Sequence, residues 1–130
     1  MQKELIESNP IIKHSIQFSL MVIDYCELLT AQKQFIISNQ LLRSATSIGA
    51  NAMEAQNAES KADFIHKIKI SAKEADETQY WLTLCECSVK YPDCIALRQK
   101  LEELQRILNA ILGTAKRKIP LTFFISCLIF

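Results

Sequence analysis

Apolar residues recur every three or four positions through four long stretches of this chain, the repeat of amphipathic helices rather than the alternation of strands. In the first stretch Ile12, Ile16, Ile23 and Cys26 form one row, and Ile11, Phe18, Val22, Tyr25 and Leu29 form the adjacent one. So wide a face predicts contact with two neighbouring helices. Ser8-Asn9-Pro10 supplies its start, because Ser or Asn side chains accept from free N–H groups and proline suits the first turn; the helix is expected to run to about Thr30. The second stretch is expected from Ser38 or Asn39 and carries Leu41, Ala45, Ile48, Ala52 and Ala55 at four-three spacing, a seam of mostly small residues. Ser44, Ser47, Asn51, Glu54 and Ala58 follow on an adjacent strip.

Ser60-Lys61-Ala62-Asp63 has the S-x-x-D form of a capping box and opens a third helix. The seam of this helix is Phe64, Ile68, Ser71, Ala75, Thr78, Leu82, Cys85 and Val89, with Tyr91-Pro92-Asp93 expected to end it and cap the next. The fourth helix has the plainest heptads, Leu97, Leu101, Leu104, Leu108, Ile111 and Ala115. It is expected to end near Lys116-Arg117-Lys118, whose cations suit the negative pole of a helix, with Pro120 beyond. Two glycines and three prolines in 130 residues leave little material for the turns of a sandwich or barrel. The expected fold is all-α, an antiparallel up-and-down four-helix bundle over residues 1–118, followed by an apolar tail over 119–130.

The segment from Leu121 to Phe130 is strongly apolar but has half of the roughly 20 residues that a membrane-spanning helix needs. A tail packed on the bundle is the expected arrangement, and an interfacial anchor, a strand against a neighbour or an extension foreign to the parent domain are the alternatives; spanning a membrane is not expected. Five cysteines, an odd number, and a charged start without an apolar signal region point to a reducing cytoplasm.

Little in the sequence has the form of catalytic chemistry. Cys85 and Cys87 stand two apart on a helix, pointing nearly opposite ways, and no second Cys/His pair completes a metal site. Cys94, beyond the Pro92 turn, could approach Cys87. His14 and His66 are solitary, and Asp63 with His66 reads as a surface pair. Gly49 and Gly113 both fall inside helices, so no glycine-rich loop cradles a phosphate. Glu54, Glu74 and Glu77 lack the Glu-x-x-His motifs of a di-iron bundle. The expectation is a non-enzymatic protein with neither metal nor cofactor.

The formal charge of +1 gives no global field for nucleic acid, so any such binding must be local. Candidates are Arg43 on the second helix, Lys61, Lys69 and Lys73 with His66 on the third, and Lys116, Arg117 and Lys118 at the end of the fourth. Glu59, Glu74, Asp76 and Glu77 interleave with them, so a solvated mixed-charge face is the competing explanation. A second candidate surface is the strip of Ala45, Ser47, Ile48, Asn51, Ala52, Glu54 and Ala55, whose small side chains permit close helix approach, either within the chain or to other chains.

The run from Leu41 to Ala55 (LLRSATSIGANAMEA), continued by Ser60 to Lys67, Ala72 to Thr78 and Tyr80-Trp81-Leu82, resembles the signature of the four-helix-bundle proteins encoded within intervening sequences of 23S ribosomal RNA genes. The resemblance covers roughly residues 10 to 118. It implies a homo-oligomer, in the family a pentamer, with no known catalysis. A related bundle, the accessory variability determinant of diversity-generating retroelements, works with a reverse transcriptase and binds nucleic acid through basic surfaces. The tail from Ile119 to Phe130 departs from the family pattern, and the sequence assigns it no function. The expected role is an oligomeric accessory protein associated with RNA or DNA, with a reverse transcriptase or another protein as further partner. The alternative is a protein-interaction scaffold that binds no nucleic acid.

Overall fold

A computed structural model describes residues 2–115. The boundary expected at 118, the basic run 116–118 and the apolar tail all lie outside the described residues. Among the described residues five helices follow one another: α1 (Gln2–Ser8), α2 (Pro10–Ala31), α3 (Phe35–Ala55), α4 (Lys61–Cys87) and α5 (Ile95–Ala115). The four long ones close into a ring in which α3 packs between α2 and α4, and α5 packs between α4 and α2. Cross-helix partners give their directions. Ser38 meets Cys26 while Gly49 meets Ser15, so α3 runs against α2. Ser44 pairs with Thr78 and Ile48 with Ser71, so α4 runs against α3. Arg98 reaches Glu86 and Gln105 reaches Gln79, so α5 runs against α4. Among the described residues no helix is long and apolar enough to cross a membrane.

The helix ends show where local signals prevailed and where packing overrode them. Ahead of the helix expected at Pro10 lies α1, almost continuous with α2: the Asn9 N–H donates to Leu5 O at 3.0 Å, and Lys13 N–H to Asn9 O at 3.0 Å. Pro10 forces the preceding residue out of helical conformation, and Asn9 is extended at φ −110°. The Asn9 side chain makes no capping bond; it is fully buried, and neither of its polar atoms has a hydrogen-bond partner among the described residues. Helix α3 begins at Phe35, not at Ser38. Ser38 is buried and its hydroxyl donates across to Cys26 O at 3.3 Å, so it serves helix packing rather than capping. Before it, Lys33 takes a left-handed φ of 61° while Gln34 N–H donates to Leu29 O at 2.9 Å, closing α2 in the manner that glycine usually serves.

The capping box at α4 forms as the sequence predicts. Ser60 Oγ accepts from Asp63 N–H at 3.0 Å, and the Asp63 carboxylate accepts from Glu59 N–H at 3.2 Å, one residue earlier than the standard return. Val89 leaves the expected seam: α4 ends at Cys87, and Val89 is fully exposed. Ile23 likewise leaves its row and is 39% exposed. The six heptad residues of α5 are all buried.

The core is densest where α3 meets α4. Ala45, Ile48, Ala52 and Ala55 face Phe64, Ile68, Ser71 and Ala75, all eight at 0% exposure. Small side chains bring the two backbones close enough for Ser71 Oγ to donate to Ile48 O at 2.7 Å. Beside it Thr78 Oγ1 bonds Ser44 Oγ at 2.9 Å and Glu74 O at 2.7 Å, so every hydroxyl in this seam that touches the partner helix is satisfied.

At the other end of α4, Arg98 holds Glu86 in a two-pronged bridge with both contacts at 2.7 Å, which keeps the Glu86 carboxyl below its usual range. A depressed folded value means that the stabilisation is present above the unfolded carboxyl value of 4.5 and is lost as pH falls through the lower folded value. Glu86→Gln should therefore lower stability at pH 7 by less than about 1 kcal/mol, as for other partly exposed bridges. In urea melts at a series of pH values, the gap to the parent should close below about pH 4.

Candidate functional site

The signature strip folds inward. Ala45, Ile48, Ala52 and Ala55 are buried inside their own bundle, so of the two partners left open for this seam these four meet the helix of the same chain. Helix α4 already fills the space that another chain would need. Ser47 and Asn51 are half-buried and bonded along the same helix, Ser47 Oγ to Arg43 O at 2.7 Å and Asn51 Nδ2 to Ser47 O at 2.8 Å. Glu54 is exposed and accepts from Lys67 Nζ at 2.9 Å across the α3–α4 turn.

Arg43 is held by α4. One guanidinium nitrogen donates to Glu77, another lies 3.5 Å from Glu74 Oε2, and Gln40 Oε1 accepts two further contacts at 3.3 and 3.4 Å. Glu77 also accepts from the Trp81 indole at 3.3 Å. This arginine is thereby a clamp between α3 and α4, with its donors directed at carboxylates. Lys67, Arg98 and Lys100 are similarly paired with Glu54, Glu86 and Glu103. In the case of Lys100, the same ammonium also reaches His14 Nδ1 at 2.7 Å and Gln17 at 2.8 Å.

What the candidate cations leave to solvent is a row on the outer face of α4. His66, Lys69 and Lys73 are exposed and spaced three and four apart, so they stand in one line about 10 Å long. Neither Lys69 nor Lys73 makes an ion pair with a described residue. Lys61 is half-buried in the first turn of α4 and is locally engaged. Lys116, Arg117 and Lys118 lie outside the described residues. Asp63, expected to pair with His66, serves the cap instead.

Cys26, Cys85 and Cys94 are buried and Cys87 is exposed, all four as free thiols. Cys94 points inward rather than to Cys87: its thiol lies 3.7 Å from Leu82 O, and burial pushes it up to about 11. Burial raises Cys26 and Cys85 as well, the reverse of what an activated nucleophile needs. Among the described residues no three His, Cys, Asp or Glu side chains gather as a metal site, and Glu54, Glu74 and Glu77 lie against cations.

One feature escaped the sequence reading. Between the first half of α2 and the second half of α3 runs an apolar groove of about 300 Å³, lined by Ile12, Ser15, Ile16, Leu20, Gly49 and Met53 among others. Ser15 Oγ in its wall is buried and has no hydrogen-bond partner among the described residues. The available signal was the surplus of apolar positions on α2: Leu20, Ile23 and Leu28 lie beyond what the core takes and are 58%, 39% and 53% exposed.

The family model described as 23S rRNA-intervening sequence protein matches residues 7–110. The chain belongs to this family. A solved structure from Bacteroides thetaiotaomicron VPI-5482, described as a protein with unknown function from the S23 ribosomal protein family, is similar to it at 37% identity. The match covers 78% of this chain and 97% of that one, with a TM-score of 0.76. None of the curated proteins matches the chain.

The two glycines of this family member give a direct check on the groove. A Cβ at Gly49 would come within 3.0 Å of Ser15 Cβ, whereas at Gly113 it would meet nothing within 4 Å. Gly113→Ala should raise stability by roughly 0.5–1 kcal/mol, the helical gain of alanine over glycine. Gly49→Ala should gain less or lose, since α2 must shift to admit it. Thermal melts of the two variants side by side measure the difference.

Proposed function

We propose that this member of the 23S rRNA-intervening sequence family is a non-catalytic bundle that assembles with copies of itself and associates with RNA or DNA through the outer face of α4. The observation that carries the reading is the exposed row of His66, Lys69 and Lys73. Its two lysines have no carboxylate partner among the described residues, while Arg43, Lys67, Arg98 and Lys100 are all paired. Cations without internal partners are the ones free to displace counterions from phosphates. One such row is a small footprint, and repetition around an oligomer multiplies it. The ribosomal RNA context in the family's description supports the same direction. A non-catalytic role is supported by the buried, protonated thiols and by carboxylates engaged in ion pairs.

The second reading, a protein-interaction scaffold that binds no nucleic acid, is favoured by the exposed apolar side chains of α2 and by Phe35 and Ile36, 53% and 85% exposed at the start of α3. Fluorescence anisotropy with a structured RNA and a DNA duplex across a salt series separates the two. Lys69→Gln with Lys73→Gln should weaken binding on every sequence and reduce the salt slope by about 2, one for each lysine. An unchanged slope would remove the α4 row from the interface, and no binding by the parent at low salt would leave the scaffold reading.

A further inference from the structure

We infer that the cleft beside the C-terminal half of α4, lined by Phe35, Ile36, Trp81, Leu84 and Tyr91, is a stacking site for an unpaired base of RNA or DNA whose backbone continues along Lys73 and Lys69. The inference rests on the reading of the α4 row as a nucleic-acid surface, and adds the form of nucleic acid that the surface takes. Helical periodicity joins the two features. Positions 66, 69, 73, 80 and 84 fall within a stripe about 60° wide, on the side of the helix opposite the buried Phe64, Ile68, Ser71 and Ala75. Tyr80 is 57% exposed on that stripe, and the line from His66 to Leu84 is about 27 Å long. The Tyr80 ring stands edge-on to Trp81, with centroids 5.3 Å apart and planes at 68°, so the stripe leads from the cations to the cleft. The acids beside it are turned elsewhere: Glu77 is engaged by Arg43 and the Trp81 indole, and Asp76 lies in the hollow toward α5 with Gln105 and Asn109.

The cleft, about 330 Å³, has the composition that a nucleotide requires. Three of its residues are aromatic, Lys33 stands among them, and no carboxylate of the described residues lines it. Lys33 is exposed and makes no ion pair with a described residue. An aromatic face accepts any base through its π system, and a nearby cation attracts the adjoining phosphate. The Trp81 indole is held ready, since its N–H donates to Glu77 and Arg43 holds Glu77 from α3. Such a site selects unpaired nucleotides. In a duplex the base faces are stacked on one another and only the edges reach a protein, whereas loops and single strands offer the faces themselves. Phe35 and Ile36, taken alone, suit any apolar partner; beside Lys33 and in line with Lys73 and Lys69 they match a ligand that is apolar at its base and anionic along its backbone.

The other concavities of the described residues lack this combination. The α2–α3 groove has neither an aromatic nor a charged residue in its lining. The hollow between α2 and α5 is rimmed by Asp24, Glu27 and Asp93, and that between α4 and α5 carries Asp76.

Trp81 is the single tryptophan of the chain and reports on the cleft directly, because a base stacked on an indole quenches its emission. The full chain is titrated at several salt concentrations with a short oligothymidylate, an oligouridylate of the same length and a DNA duplex. The single strands should quench Trp81 and bind about tenfold more tightly than the duplex. Phe35→Leu keeps the apolar bulk and removes the ring; it should weaken single-strand binding about tenfold while leaving the salt slope unchanged, because no phosphate contact is lost. Tyr80→Leu, also at a position more than half exposed, serves if the first variant folds poorly by circular dichroism. Quenching by either strand supports the site, and the tighter of the two identifies the sugar it prefers. Salt-dependent binding without quenching, and without loss in either leucine variant, would overturn the stacking site while leaving the α4 row in place. No binding of any of the three at low salt would remove both. Emission that changes with protein concentration alone and ignores the oligonucleotides would also overturn the inference, and would give the cleft to a second copy of the chain.

Discussion

The close approach of α3 to α4 is the constraint on which the other features depend. Alanines at 45, 52 and 55 leave room for the backbones to come within reach of a Ser71-to-Ile48 carbonyl bond, and that bond cannot form at a wider spacing. Once the seam closes, Arg43 falls opposite Glu74 and Glu77, Glu54 falls opposite Lys67, and the capping box at Ser60 turns the chain tightly between the helices. The same geometry rotates His66, Lys69 and Lys73 to the outside, since the inner face of α4 is occupied by Phe64, Ile68, Ser71 and Ala75.

Electrostatics then sorts the cations. A lysine or arginine across a helix boundary from a carboxylate is held in place, and partial burial strengthens the pairing. Arg43, Lys67, Arg98 and Lys100 are of this kind and serve the joints α3–α4, α4–α5 and α2–α5. Near-neutral overall charge is thus compatible with a local row whose cations have no internal partner. The proposed contact with nucleic acid draws on the cations outside those joints, Lys69 and Lys73.

Much of this was legible in the sequence where packing and local chemistry agree. The heptads of α5 and the S-x-x-D cap of α4 were plain, because a clean apolar seam and a capping residue leave few alternatives. The seam of α4 was readable by spacing even through Ser71 and Thr78. The failures have separate causes. Ser38 looks like a cap, but its hydroxyl finds Cys26 O across a helix pair that is invisible to local reading. Val89 continues a periodicity that the backbone abandons at Cys87. The α3 signature left its partner open, because small residues look alike whether the approaching helix belongs to the same chain or another. Arg43 counted as a free cation because its two carboxylates lie more than thirty positions away. The groove needs the α2–α3 pairing before Ile12 and Met53 can be seen as one surface.

The central claim is that the α3–α4 seam organises the bundle, and native-state amide hydrogen exchange tests it most directly. The slowest-exchanging amides should lie at positions 44–52 of α3 and 68–78 of α4 and exchange together, as one cooperative unit. If the slowest amides were confined to the leucine heptads of α5 while the α3–α4 seam opened first, the seam would not be the constraint that holds this fold.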